Sequence, residues 1–155
     1  MNEQDSSNEE GKKEMSEDVF RSIVEEEWKA VPAEWQRRIQ NVALLVEDEP
    51  NEEVRASEGL GDGDMLLGIY QGIPLTERGE AYGTGMTMPD TVTIYRLSTL
   101  AEAHSLMEED SSGNGSFEEY VRVVVRETVW HELGHYFGHN DAVLHIREDE
   151  GSNAF

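Results

Sequence analysis

His131 and His135 stand four residues apart, with Glu132 directly after the first. On a helix, residues four apart lie about 40° from one another around the axis and one turn along it. Both imidazoles then project from one face, where two ring nitrogens can reach one zinc ion at about 2.0–2.1 Å. Glu132 is displaced around the helix from His131, so it can hydrogen-bond a water at the metal without occupying the ion. That is the general-base position of a His-Glu-x-x-His site, and the chemistry it implies is hydrolysis.

Two histidines do not complete a site. Asp141, three residues after Gly138, is the expected third ligand. A left-handed Gly138 would end the helix and turn the chain back to deliver it. The pattern His-Glu-x-x-His-x-x-Gly-x-x-Asp is the elongated metzincin-type motif with Asp in place of the final His. His139 is the rival ligand. On an unbroken helix it would lie about 12 Å along the axis from His131, too far to share one ion. Only a break at Gly138 could bring it in, and that break favours Asp141. Asp141 also has a competing structural role, as N-cap of a short last helix running to Glu148. A second metal hint is weaker: Asp110, Ser112, Asn114 and Gly115 match the first half of a calcium loop, but Val121 falls where a bidentate Glu is needed. The helix cap that follows at Ser116 is sufficient reason for those residues.

The metal residues sit at the end of a long segment that Ser116 and Glu119 launch as a capping box. Val121, Val123, Val124, Val125 and Val129 surround it with apolar groups, which predicts a central, buried helix through Phe137, ended by Gly138. Thr91 to Tyr95 is the clearest strand, β-branched and alternating. Val42 to Val46 reads as a buried strand, and Leu66 to Tyr70 as a weaker one because of Gly68. Glu47 to Asp64 reads as an acidic loop, and the glycine-rich run from Gly72 to Asp90 as an exposed loop. Ser16 caps a helix carrying Val19, Phe20, Ile23, Val24 and Trp28. Pro32 ends that helix and opens a short second one bearing Trp35 and Ile39. Ser98 is placed to cap a helix through Met107.

The chain has 155 residues, enough for one domain with a real core. Residues 1–15 read as a disordered acidic tail, 16–150 as the domain and 151–155 as a C-terminal tail. No cysteine is present, so any zinc must be held by histidine and carboxylate. The formal net charge is −22, from 34 acidic residues against 12 Lys plus Arg. Such a surface repels nucleic acid and anionic lipid, so neither is expected as a partner. The N-terminus, Met1 to Asp5, has neither the basic region nor the apolar run of a signal peptide, and no stretch has the roughly 20 apolar residues of a membrane span.

Together these residues resemble the small bacterial zincin-like metallopeptidase family, first catalogued as a domain of unknown function. The resemblance rests on several blocks in order: Val31 to Ala43 with Val46 to Pro50, Leu66 to Leu75, Thr93 to Arg96, and Thr128 to Gly138. It implies an α+β minimal zincin-like fold, a small mixed sheet packed against a central metal-binding helix and flanking helices. It also implies one Zn2+ per chain at His131, His135 and Asp141, Glu132 as base, and a bacterial cytoplasmic setting. The chain departs from metzincins proper in having no methionine beyond Met107.

The expected function is therefore zinc-dependent cleavage of a peptide or protein substrate by a monomer. Tyr82, Tyr95, His104, Tyr136 and His145 are candidates to stabilise the oxyanion. Either Thr91–Tyr95 or Leu66–Tyr70 could offer an edge for the substrate to join as an added strand. The competing reading is a non-enzymatic module in which zinc only staples the central helix to the C-terminal segment. A closed shell of four protein ligands, completed by His139 or His145, would mark that alternative.

Overall fold

The computed structural model describes residues 15–74, 77–79 and 88–138. In chain order the elements are α1 (Glu17–Lys29), α2 (Ala33–Gln36), β1 (Val42–Glu47), α3 (Glu52–Ser57), β2 (Gly68–Gln71), β3 (Asp90–Tyr95), α4 (Arg96–Glu109) and α5 (Phe117–Tyr136). The strands form a three-stranded mixed sheet in the order β1-β3-β2. β1 pairs with β3 in parallel, Val42 opposite Asp90, and β2 pairs antiparallel, Gly68 opposite Ile94. The fold is α+β, as the sequence predicts, with α5 as the central helix.

Local chemistry explains the elements. Ser16 Oγ accepts from Val19 N–H, and Ser116 Oγ from Glu119 N–H, so both expected caps form. Phe20, Ile23 and Val24 of α1 join Val92 and Ile94 of β3 and Val121, Val125, Val129 and Leu133 of α5 in one core. Glu27 of α1, 8% exposed, accepts from Arg126 at 2.7 Å and ties α1 to α5 through a charged pair at the margin of that core.

Four local expectations need correction. The run read as an acidic loop contains α3, because Asn51 Oδ1 accepts from Val54 N–H at 2.9 Å and caps a helix that buries Val54. α4 starts at Arg96, directly from the end of β3, so Ser98 lies inside the helix and caps nothing. Arg96 is fixed at that junction by two bonds to Asp48 and one to the Met15 carbonyl. Met15, counted with the tail by sequence, is accordingly buried. Finally, β3 is the middle strand, which removes Thr91–Tyr95 as a docking edge and leaves β2.

Asp110 of the calcium-like loop spends its carboxylate locally, on the Tyr120 hydroxyl and on the backbone N–H and hydroxyl of Ser112. Those bonds hold its carboxyl below the usual carboxylate range. Among the described residues, no helix is long and apolar enough to cross a membrane.

Candidate metal centre

α5 carries the metal residues on the border of its buried face. Val121, Val125, Thr128, Glu132 and Tyr136 recur at helical spacing and are buried. His131 and His135 flank that stripe and stay half-buried. Their rings lie edge to face, centroids 5.0 Å apart. One ligand atom from each of His131, Glu132 and His135 lies within 4.8 Å of the others. The two imidazoles are donor types that zinc prefers and fit that ion, with the Glu132 carboxylate beside them. Asp141, the expected third ligand, lies outside the described residues, as do His139, His145, Tyr82 and the proposed last helix.

Strand β2 meets α5 in step. Two strand residues rise about 6.6 Å and four helical residues about 6 Å, so the two elements can keep register over a turn. Gly68 passes Thr128 so closely that a Cβ there would lie 2.7 Å from the threonine methyl. Two residues further along β2 and one turn further along α5, Tyr70 meets Glu132. The Tyr70 N–H donates to Glu132 Oε1 at 2.9 Å. The antiparallel register explains why that N–H is available. Tyr95 N–H donates to the Leu67 carbonyl, so Leu67, Ile69 and Gln71 turn toward β3 while Gly68 and Tyr70 turn outward. Glu132 Oε2 lies 4.0 Å from His131 Nε2. The carboxylate thus stands between the imidazole pair and the outer edge of the sheet.

A buried polar cluster backs this arrangement. Asp90, 3% exposed, accepts from the Tyr70 hydroxyl at 2.6 Å and from Arg78 at 2.7 Å through Oδ2, and from Ile73 N–H at 3.2 Å through Oδ1. Gly72 has φ 149°, and a Cβ there would sit 2.2 Å from Asp90 Cγ, so glycine alone lets the chain wrap the carboxylate. Arg78 also donates to the Gln40 and Ile73 carbonyls and lies over the Tyr136 ring at 4.9 Å. Burial, then the bond to Asp90 and its charge, pushes the Tyr70 hydroxyl well above its ordinary pKa. It stays a neutral donor.

Three sequence candidates for oxyanion stabilisation are committed elsewhere. Tyr95 is buried with Val54 and Ile69, and burial together with the charges of Glu47 and Glu58 pushes its hydroxyl up to about 12. His104 packs on Phe117 at 4.4 Å. The Tyr136 hydroxyl accepts from Gln40 N–H and donates to the Arg38 carbonyl. Sequence reasoning missed Tyr70, Arg78 and Asp90. A cavity of about 420 Å³ adjoins the site, lined by Leu67, Leu106, Val124, Glu102, Glu127 and Glu132 among others.

Residues 39–150 match the family model described as zincin-like metallopeptidase. No curated protein matches the chain. A solved structure described as a conserved hypothetical protein from Thermo thermophilus aligns over 86% of this chain and 96% of its own. Its identity is 24% and its TM-score 0.42. The family match spans the sheet, the central helix and every residue of the motif, and the chain belongs to the zincin-like metallopeptidase family.

Proposed function

We propose that this chain is a zinc-dependent peptidase, with one zinc ion held by His131, His135 and Asp141 and with Glu132 as general base. The observation that carries the reading is the placement of the Glu132 carboxylate, beside His131 and on the outward edge of β2. When bound, zinc supplies Lewis acidity, lowering the pKa of water toward about 7 and polarising a carbonyl. Glu132 takes a proton from the attacking water and returns it to the departing amine. The Tyr70 N–H fixes one carboxylate oxygen and leaves the other directed toward the imidazole side. A peptide substrate lies along β2, where Gly68 turns its backbone outward, and adds a strand to the sheet. The adjoining cavity accepts a substrate side chain.

Glu132→Gln tests this reading. It preserves both imidazoles and the side-chain shape but removes the base. Hydrolysis of a quenched-fluorescent peptide library should fall by about 10²–10⁴-fold while zinc content stays the same. Unchanged hydrolysis by that variant would rule the mechanism out.

A further inference from the structure

Tyr70 is gripped at both of its polar groups, by different partners. Its backbone N–H donates to Glu132, and its hydroxyl donates to buried Asp90. The same Asp90 carboxylate takes Ile73 N–H, just past the end of β2, and Arg78, further along the connection. The Arg78 side chain is itself 5% exposed, so the pair is charge-balanced inside the fold. Gly72 adopts a left-handed conformation that lets this wrap close.

Sheet pairing does not perform this task. β2 is four residues long and lies at one side of the sheet, and Tyr70 turns its N–H away from β3. Short edge strands open locally at low cost. A hydrogen bond weakens steeply as its angle and distance drift, so an untethered strand end would leave Glu132 Oε1 poorly oriented. The side-chain bond from Tyr70 to the first residue of the central strand supplies the missing tether.

We propose that Asp90, balanced by Arg78, is a positioning residue for the general base: it acts through the Tyr70 hydroxyl to hold the Tyr70 amide against Glu132. Its consequence for turnover rests on the hydrolase reading above, while the tether itself does not. Asp90 touches neither substrate nor base. It fixes the strand whose amide orients the base.

The test is residue-resolved amide hydrogen exchange by NMR on the full chain, comparing the native protein with Tyr70→Phe, Asp90→Asn and Glu132→Ala. Tyr70→Phe keeps the backbone donor and removes only the tether. The amide at position 70 should then exchange at least about tenfold faster, approaching its rate in Glu132→Ala, while amides of β3 and α5 stay within about twofold. In the same variant kcat should drop by about 10–100-fold with KM nearly unchanged. An undisturbed amide at position 70 would overturn the proposal. So would equal acceleration throughout β3 and α5, which marks general destabilisation, or a loosened amide with native kcat. Should Asp90→Asn fail to fold for lack of a partner to Arg78, Tyr70→Phe decides alone. Exchange needs neither metal nor turnover. A native chain that hydrolyses no peptide, yet shows the predicted exchange, would therefore sink the peptidase reading and leave the tether standing.

Discussion

Asp48 receives two hydrogen bonds from Arg96, and that guanidinium holds its carboxyl below the usual carboxylate range. A group whose folded pKa is depressed adds stability above its unfolded value, about 3.9, and loses it as pH falls through the folded value. Asp48→Asn should therefore lower the Tm at pH 7, with the difference from native shrinking as pH drops below about 4. The Asp48 side chain is 41% exposed, so solvent screening keeps the effect modest. A Tm difference that grew on acidification would contradict the assignment. The same scale shows what sequence can reveal of the candidate site. His131, Glu132 and His135 are legible because helical geometry alone sets their relative positions. Tyr70 is not, because its contribution is a backbone N–H offered to a residue 62 positions away, and every residue but proline has one. Arg78 and Asp90 leave a faint trace: the lone basic residue of the glycine-rich run, and an acid abutting a β-branched strand.

At the scale of elements, strong periodicity is legible and weak caps are not. α5 and β3 follow directly from a capping box and an alternating run. α3 escapes a sequence reading because six residues rich in Glu carry one buried side chain, Val54, too little for any apolar period. The apolar run places β2 two residues early, and Gly68 within it reads as a weakness. In the fold that glycine lets β2 pass α5, since a Cβ would lie 2.7 Å from the Thr128 methyl and 2.8 Å from the Thr93 carbonyl. Gly68→Ala should cost about 1–3 kcal/mol in urea unfolding, the usual range for overpacking. It should also lower turnover, because the strand carrying the Tyr70 amide is pushed off the helix. Unfolding free energy equal to native would show that β2 and α5 do not meet as described.

Over the whole molecule, charge is the dominant feature. A formal net charge of −22 surrounds a site whose adjoining cavity includes Glu102 and Glu127. A field of that sign raises the encounter rate of cationic peptides and lowers that of anionic ones. For a pair of substrates differing only in Lys against Glu beside the scissile bond, kcat/KM should favour Lys by about tenfold at low salt. The gap should narrow as ionic strength rises past about 0.15 M, where the Debye length falls to about 8 Å. A preference independent of salt would place selectivity in contacts instead of the field. The architecture is legible from sequence because α1, β3 and α5, which supply most of its core, each carry a clear apolar pattern. The closing segment after Gly138 lies outside the described residues, yet the proposed site depends on it through Asp141. The decisive measurement of the three-ligand site is therefore zinc content, read by elemental mass spectrometry on protein purified without chelator, beside Asp141→Ala. The native chain should hold about one zinc ion, and the variant should lose it. Native protein that holds no zinc even after reconstitution would contradict it.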